Sequence, residues 1–410
     1  MKMATRLAFL FLCSLPLLLL GLVRFTNFRI SYAQKTVVNY DEQNKKWVFN
    51  QPEKHALSGE DGPYLFWRGD SLQVVQVNDV RQIQTKMIKP DSATTFTTYV
   101  ANKDHDQFSF LLQPKPVTPP AIYAQPKQVL AISDIEGNFN AFYGLLVGNG
   151  VMDQQYRWAY GAGHLVLVGD FVDRGDNVTQ CLWLIYKLEQ EARKQGGQVH
   201  YILGNHEVMN LENDIRYVNR KYLSLAQHLS GKIAIEEAFP YLMSDENVLV
   251  QWLRTKNCIE KIGDVLYVHG GISPELMTEK WSLEEINQSL HSRTQQKQPG
   301  AAFVTDDRSA LIIGGAGPLW YRGFVKKQEI NSGKTALEVV NQALQYFKVK
   351  KIVIGHSIVA EVSADYHGKV LRIDIRQPTE KNTGKAQALL IENGKTYRVN
   401  DLRELTALKN

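Results

Sequence analysis

Five short, mainly apolar segments alternate with stretches of helical periodicity, and each ends in a polar, glycine-flanked cluster. The apolar segments are 129–132, 165–168, 199–203, 265–268 and 351–354. Apolar runs of four or five residues bounded by turn residues are typical of buried strands, whereas apolar positions three or four apart indicate helices. Helical stretches include 139–147, 178–194 and 335–347. The alternation predicts an α/β fold in which mixed β-sheets are flanked by helices.

The N-terminal part of the chain has a different pattern. Residues 35–125 carry β-type runs separated by turn-prone pairs such as Asp61-Gly62, and a proline-rich linker follows at 113–120. This pattern predicts a β-rich N-terminal extension. The catalytic region is then expected at 127–410.

Two features stand out inside that region. Residues 207–256 predict a helical insertion, which we expect to form a cap over the pocket and to help choose the substrate. Residues 386–392 and 395–399 flank Asn393-Gly394. Asn-Gly between two apolar runs favours a tight β-hairpin, so we expect one that closes the sheet.

The polar clusters carry the candidate chemistry. Ligands of an open α/β sheet bind in the crevice beyond the carboxyl ends of its strands, so the side chains that follow these strands should meet in one pocket. They include carboxylates, an amide, imidazoles and a guanidinium: Asp134, Glu136, Asp170, Asp173, Arg174, Asn205, His206, His269 and His356. Each alone is an ordinary turn or cap residue. Together they are typical of two divalent cations that hold a phosphate.

Cleavage of a phosphate ester requires this mixture of groups. A phosphate dianion repels hydroxide, so the site must supply positive charge and a nucleophile at neutral pH. Two cations roughly 3.5–4 Å apart do both, and arginines bind the nonbridging oxygens. The sequence argues against a cysteine nucleophile, because neither Cys181 nor Cys258 has an arginine six positions later or lies in a glycine-rich loop.

Residues 127–376 resemble the PPP-type metallophosphoesterases, the superfamily that contains the serine/threonine protein phosphatases, and look closest to their bacterial Shewanella-like branch. The family pattern GDxHG, GDxVDRG, GNHE, HGG and H is matched by DIEG (134–137), GDFVDRG (169–175), GNHE (204–207), HGGISP (269–274) and GHS (355–357). The resemblance implies the layered α/β sandwich of that family and a dinuclear, metal-dependent phosphatase.

The resemblance also implies a set of metal ligands shared by two divalent cations. They are Asp134, Glu136, Asp170, Asn205, His269 and His356. Asp170 would bridge the two cations, with Asp134 and Glu136 on the first. The remaining three would complete the second.

The catalytic roles follow from the same resemblance. A metal-bound hydroxide would attack the phosphorus, and His206, oriented by Asp173, would donate a proton to the leaving group. Arg174 would grip the phosphate. The segment 317–322 resembles a later family loop that carries a second phosphate-binding arginine, here Arg322.

Glu136 departs from the pattern, because the family usually has a metal-binding histidine there. A carboxylate favours hard cations such as manganese or magnesium over zinc. We expect Glu136 to ligate. The alternative is that it does not, which would weaken the first site. Manganese is the expected metal, with iron, magnesium or zinc as alternatives.

Other polar residues have simpler interpretations. His164, His200 and His367 belong to no cluster, and we expect them to be structural. Asp374, after an apolar run at 370–373, is expected to support the fold rather than bind metal. Glu207 is expected to hold the ligating groups in place, as carboxylates beside metal ligands commonly do.

Composition fits a folded enzyme and argues against nucleic acid as a partner. The chain has 410 residues, 44% hydrophobic and 22% charged, with a net charge of +5. Four of the positive charges lie in the first 29 residues, and without them the net charge is +1. A surface that binds polyanions is therefore not indicated.

The N-terminus predicts export. Lys2 and Arg6 precede an apolar run at 7–23, and a small-x-small ending occurs at 31–33. This predicts a signal peptide over 1–33, with an uncleaved membrane anchor through 7–23 as the alternative. In both cases the bulk of the chain should be extracytoplasmic, either periplasmic or secreted. Cys181 and Cys258 would then remain, as free buried thiols.

Three functional hypotheses follow. The first is a phosphomonoesterase acting on phosphoserine, phosphothreonine or phosphotyrosine in proteins, and on small phosphoesters. The second is a dinucleoside polyphosphate hydrolase, because those enzymes share the motifs. The third is a non-catalytic phosphate-binding protein whose first metal site decayed at Glu136. The presence of Asp173, His206 and Arg174 together argues against the third, because a binding protein would not need them all.

Overall fold

The computed structural model describes the strands at 30–32, 36–41 and 46–50 and residues 54–113, 115–295, 307–326 and 333–409. The chain divides into two compact units, 1–55 and 56–410. Apart from one short strand, the predicted leader at 1–33 lies outside the described residues. No helix in the described part of the chain is long and apolar enough to cross a membrane.

The first unit contains a three-stranded antiparallel sheet. Its strands are β1 (Ile30–Tyr32), β2 (Thr36–Asp41) and β3 (Lys46–Asn50), in the order β1-β2-β3. The register pairs Val38 with Phe49 and Tyr40 with Trp47 across β2 and β3. The β-type runs of the sequence coincide with these two strands.

The second unit begins with two small antiparallel sheets. The first has the order β4-β5-β6, and the second pairs β7 with β8. The strands are β4 (Asp61–Arg68), β5 (Ser71–Val77), β6 (Ile83–Ile88), β7 (Thr95–Tyr99) and β8 (Gln107–Leu111).

Two six-stranded mixed sheets form the centre of this unit. Their strands are β9 (Ile122–Tyr123), β10 (Gln128–Ile132), β11 (His164–Val168), β12 (Gln198–Ile202), β13 (Ile259–Ile262), β14 (Val265–Val268), β15 (Lys351–Ile354), β16 (Ser363–Asp365), β17 (Val370–Arg372), β18 (Gln387–Glu392), β19 (Lys395–Asn400) and β20 (Leu405–Ala407). Sheet I has the order β12-β11-β10-β18-β19-β20, and sheet II has the order β16-β17-β15-β14-β13-β9. All five strands predicted to precede the polar clusters are present.

Helices join and cover these strands. In the described residues they are α1 (Phe139–Gly148), α2 (Val178–Lys194), α3 (Asn205–Leu211), α4 (Arg220–Ser230), α5 (Ile235–Ala238), α6 (Val248–Leu253), α7 (Pro274–Thr278), α8 (Leu283–Thr294), α9 (Asp307–Ile313) and α10 (Ala336–Phe347), with a 3₁₀ turn at Phe239–Tyr241. Side-chain caps fix several starts: the Thr335 hydroxyl accepts a hydrogen bond from the amide of Glu338, three residues into α10. Such a capping box satisfies amides that have no partner inside the helix.

The two sheets pack face to face because successive residues of a strand point to opposite faces. Val129 and Ala131 of β10 lie in a buried cluster with Tyr267 of β14 and Val353 of β15, between the sheets. Leu130, between them in sequence, belongs instead to the core that includes the helices. The layered α/β sandwich implied by the resemblance is therefore confirmed.

The small sheets before the central sheets pack against α2. Trp183 of α2 stacks on Phe110 of β8 with ring centroids 4.2 Å apart, and its indole N–H donates to the carbonyl oxygen of Pro63 at 2.8 Å. Residues 56–125 belong to the same compact unit as the catalytic region. The predicted limits of the β-rich extension, 35–125, stay a prediction.

Several local expectations are confirmed. The hairpin of β18 and β19 pairs Glu392 with Lys395 around Asn393 and Gly394, which both have positive φ. Asn and Gly tolerate that conformation better than other residues. Cys181 and Cys258 are free and buried, and burial raises the pKa of the Cys258 thiol to about 12.

Two of the histidines expected to be structural connect the sheets. Nδ1 of His200, on β12, lies 2.7 Å from Oε2 of Glu260, on β13. Nε2 of His200 lies 2.9 Å from Nδ1 of His164, on β11. His200 and Glu260 are buried, so this polar chain joins sheet I to sheet II through the interior.

This chain should make stability depend on pH. Burial, followed by the charge of His200, lowers the pKa of His164 from 6.5 to about 4. Between these values the unfolded chain binds a proton that the folded chain does not, so stability falls as the pH falls through this interval. We expect the Tm of His164→Gln to decline less than that of the wild type between pH 6.5 and 4, measured by thermal unfolding. An identical decline in both proteins would contradict this role.

Candidate metal centre and phosphate site

The polar residues that follow the five strands meet in one place, and the backbone there is strained. Six non-glycine residues have φ between 48° and 70°: Asp134, Glu136, Asp170, Asp173, Arg174 and His356. Such left-handed conformations cost about 1–3 kcal/mol each and are concentrated at functional sites. The strand ends also pack tightly, because a Cβ on Gly169 would lie 2.6 Å from the backbone of Gly204.

Asp170, His269 and His356 form the centre of the site. One potential ligand atom of each lies within 4.8 Å of the others, and all three residues are buried. Nε2 of His269 lies 3.0 Å from Oδ2 of Asp170 and 3.1 Å from Oδ1 of Asn205. Two imidazoles, a carboxylate and an amide oxygen form a donor set that suits a divalent transition metal. These residues therefore fit the second cation that the sequence implied.

Backbone groups orient both imidazoles. Nδ1 of His269 lies 2.7 Å from the carbonyl oxygen of Val168, which can only accept, so this nitrogen carries a proton and Nε2 faces the centre. Nε2 of His356 donates in the same way to the carbonyl oxygen of Trp320 at 3.1 Å. Metal-binding histidines are usually held by such partners. Burial and the charge of His269 lower the pKa of His356 to about 2, so it is neutral.

The charge balance of the centre favours a cation. Burial, followed by the charges of Asp374 and Asp170, raises the pKa of Asp134 well above its ordinary value. Burial alone would lower the pKa of His269, but the carboxylate of Asp170 raises it to about 10. Burial alone would raise the pKa of Asp170, but the same imidazole lowers it below its ordinary value. Buried carboxylates that repel one another and attract positive charge are what a metal site requires.

Asp134 lies at the edge of this centre. Its Oδ2 atom accepts hydrogen bonds from the hydroxyl of Ser133 and from the amide of His356, the latter at 3.2 Å. Asp134 thereby connects the end of β10 with the end of β15. The arrangement is consistent with the role at the first cation that the resemblance implied.

Glu136 lies against Arg174. Their carboxylate and guanidinium form an ion pair, and both side chains are partly exposed. The glutamate that replaces the family's histidine thus contacts the expected phosphate-binding arginine. Its ligation of the first cation stays a prediction.

His206 is held as a proton donor would need to be. Its Nδ1 atom lies 2.6 Å from Oδ2 of Asp173. The side-chain amide of Asn210 donates from Nδ2 to Oδ1 of Asp173 at 2.7 Å. The protonated Nδ1 therefore donates to a carboxylate that is itself fixed. Nε2 lies 3.8 Å from Oδ2 of Asp170. Asn210 was not predicted, although its position four residues after His206 places both on one face of α3.

The two arginines line the same cavity. Arg322 donates to the carbonyl oxygen of His356 at 2.7 Å and to the hydroxyl of Ser357 at 3.1 Å. Arg174 donates its backbone amide to the carbonyl oxygen of Tyr217 at 3.1 Å. Backbone contacts therefore anchor both residues beside the metal centre.

Tyr217 was not predicted. Its ring centroid lies 4.9 Å from that of His206, and the guanidinium carbon of Arg174 lies 5.2 Å from it. The side chain is 43% exposed. An exposed aromatic ring beside the proton donor offers a surface for an apolar part of a substrate. No local pattern points to Tyr217, because it lies in a loop of the insertion.

A cavity of about 730 Å³ opens over the centre. It is lined by Asp134, Ile135, Glu136, Asn138, Asp170, Arg174, Gly175, His206, Arg322, Val325, Lys326, His356, Ser357, Ile358, Asp374, Ile375, Arg376 and Gln377. Among these lining residues none comes from α4, α5 or α6, and α6 packs against β4. The loop of the insertion approaches the site through Tyr217. The role of the insertion as a cap stays a prediction.

Glu207 holds the turns that carry the site residues in place, as predicted. It is fully buried, and its two oxygens accept five hydrogen bonds, from the amides of Asp170, Phe171, Val172 and Gly204 and from the hydroxyl of Tyr201. The bonds join the turn after β11 to the turn after β12. Burial and the charge of Asp170 raise its pKa.

We expect Glu207→Gln to destabilise the protein. An amide of the same shape directs N–H groups at backbone amides and leaves buried donors without partners, at a cost of about 1–3 kcal/mol. Urea unfolding of the metal-free protein measures this, with Glu284→Gln, an exposed position on α8, as the control. Equal free energies of unfolding for the two variants would contradict the role of Glu207.

Comparison with known proteins agrees with this geometry. The calcineurin-like phosphoesterase family matches residues 127–360. Shewanella-like protein phosphatase 2 of Arabidopsis thaliana is 26% identical over 314 residues, which cover 68% of this chain and 78% of that protein. The symmetrical bis(5'-nucleosyl)-tetraphosphatase of Wigglesworthia glossinidia brevipalpis is 27% identical over 160 residues, which cover 38% of this chain and 47% of that protein.

A solved structure extends the similarity to the fold. The cold-active protein-tyrosine phosphatase of a psychrophile Shewanella species superposes with a TM-score of 0.72 at 31% identity, covering 86% of this chain and 100% of that chain. The family match spans more than half of the 410 residues. The chain therefore belongs to the calcineurin-like phosphoesterase family and is a metal-dependent phosphoester hydrolase.

Proposed function

We propose that this protein is a phosphatase that hydrolyses phosphomonoesters on proteins, with phosphotyrosine among its substrates and two manganese ions as cofactors. The observation that carries the proposal is the position of His206. Its Nδ1 atom is held by Asp173, and its ring faces a cavity lined by Arg174 and Arg322.

Five residues would hold the two cations: Asp134, Asp170, Asn205, His269 and His356. Bound cations supply positive charge and a nucleophile at neutral pH. Carboxylate ligands favour hard cations, and the additional carboxylate of Glu136 lies within the same cavity. This oxygen-rich donor set supports manganese over zinc.

The arginines would bind the nonbridging oxygens of the phosphate. A guanidinium presents parallel N–H groups that match two such oxygens. Arg174 pairs with Glu136 in the structure, so a phosphate that binds there replaces one anionic partner by another. Arg322 is already fixed by the carbonyl oxygen of His356 and can offer its remaining N–H groups.

His206 would protonate the leaving oxygen. Because Nδ1 donates to Asp173, the other ring nitrogen, Nε2, is the one that can reach a substrate. A positioned acid of this kind matters most when the leaving group is a strong base, such as the alkoxide of serine.

Two observations support protein phosphates as substrates. Shewanella-like protein phosphatase 2 of Arabidopsis thaliana matches 68% of this chain and the Shewanella protein-tyrosine phosphatase matches 86%, whereas the tetraphosphatase of Wigglesworthia glossinidia brevipalpis matches 38%. The exposed ring of Tyr217 also lies beside His206, where a phenyl leaving group would be. A phosphomonoester is therefore favoured over a dinucleoside polyphosphate.

Hydrolysis by metal-stripped protein resupplied with manganese tests the proposal. We expect turnover of p-nitrophenyl phosphate and of phosphotyrosine and phosphoserine peptides only after metal is restored. In Asp173→Asn, kcat for the phosphoserine peptide should fall by about 10²–10⁴-fold, the usual contribution of a positioned acid. The fall should be smaller for p-nitrophenyl phosphate, because nitrophenolate leaves without a proton.

Asp79→Asn, in an exposed turn outside the site, is the matched control and should leave turnover unchanged. Equal losses on both substrates would contradict the role of His206. Faster cleavage of a dinucleoside tetraphosphate than of any monoester would favour the nucleotide hydrolase. No turnover with manganese, magnesium, iron or zinc would contradict a catalytic role. It would favour the third hypothesis, a non-catalytic phosphate-binding protein.

A further inference from the structure

Asp374 lies in the cavity beside the metal centre. Its side chain is 4% exposed and lines the same space as Asp134, Asp170 and His356. Among the described residues, none donates a hydrogen bond to its carboxylate or forms an ion pair with it. A buried carboxylate without a partner is unfavourable, so such groups in proteins usually bind a cation or a donor.

The pairing of neighbouring parallel strands places Asp374 at the metal centre. It follows β17, which runs parallel to β15, and the amide of Ile373 donates to the carbonyl oxygen of Ile354 at 2.9 Å. The carbonyl oxygen of Asp374 accepts from the amide of Val359 at 2.9 Å. The ends of β15 and β17 therefore lie side by side, and Asp374 emerges at the edge that carries His356.

The surroundings of Asp374 favour the first cation. Asp134, Asp170 and Asp374 line the same cavity, and the exposed fraction of Asp374 is 4%. Carboxylates that share such a cavity repel one another, and the repulsion is relieved when they bind one cation.

The first site also needs another donor besides Asp134 and Asp170. Glu136, the donor expected from the sequence, is paired with Arg174. Asp374 reaches the same cavity from a different strand, and among the described residues its carboxylate has no hydrogen-bond or ion-pair partner.

We propose that Asp374 is a ligand of the first cation, together with Asp134 and Asp170. The inference rests on the proposed function, because it assumes that the centre binds two cations. It assigns to Asp374 a functional role instead of the structural one expected from the sequence. Glu136 is then the partner of Arg174 that a bound phosphate displaces.

Metal stoichiometry tests the proposal directly. Wild type, Asp374→Asn, Glu136→Gln and Asp264→Asn would be stripped, titrated with manganese and analysed by calorimetry and elemental analysis. Asp264 is the matched control, because it pairs with Lys350 in an exposed position just before β14, at the end of the strand away from the site. We expect two ions per chain in wild type and control. Asp374→Asn should bind one ion as tightly as the wild type does. It should bind the second ion with an affinity at least ~10-fold weaker.

Thermal unfolding separates ligation from a structural role. If Asp374 is a ligand, removal of its unpartnered charge should leave the Tm of the metal-free protein unchanged or higher, and should reduce the rise in Tm on adding manganese. A structural residue would give a lower Tm without metal and an unchanged rise. The latter result, or two ions bound to Asp374→Asn with wild-type affinity, would overturn the proposal.

The Glu136→Gln variant distinguishes the two candidate ligands. Loss of one ion from Glu136→Gln with full binding by Asp374→Asn would assign the ligand to Glu136 and overturn the proposal. Failure of the proposed function would look different, because the wild type itself would then bind fewer than two ions or hydrolyse no monoester.

Discussion

Mutual repulsion between buried carboxylates is the constraint around which this site is organised. Asp134, Asp170 and Asp374 are brought to one cavity by the ends of three strands in two different sheets. Low exposure and nearby negative charge raise the pKa of Asp134 and raise that of Asp374 to about 6. Positive charge reduces this repulsion, and nearby imidazoles and guanidiniums supply part of that charge. The strained turns persist because they hold these groups in place.

The rest of the fold serves to keep those strand ends together. Glu207 binds the turns that follow β11 and β12 through five hydrogen bonds, and the packed faces of sheets I and II fix the two halves of the centre. A cation can then bind without much reorganisation. Such preorganisation is the main way in which a rigid scaffold stabilises developing charge.

Much of this arrangement could be predicted from the sequence, because strands and their ends are local patterns. The apolar run at 165–168 is followed by Asp170, and the one at 351–354 by His356, so parallel strand ends were enough to predict a shared pocket. The role of Glu207 and the Asn393-Gly394 hairpin followed from equally local signals.

What the sequence did not reveal depends on contacts between distant segments. The pairing of Glu136 with Arg174 and the burial of Asp374 depend on segments that are far apart along the chain, and Tyr217 reaches His206 from a loop. The packing of Trp183 on Phe110, which joins the small sheets to α2, is another such contact. No periodicity encodes these contacts.

We propose that two cations bind where these strand ends meet. Anomalous diffraction from crystals of the full chain grown with manganese locates them. We expect two peaks about 3.5–4 Å apart, one beside Asp170, Asn205, His269 and His356 and the other beside Asp134 and Asp170. A single peak, or peaks away from Asp170, would contradict it.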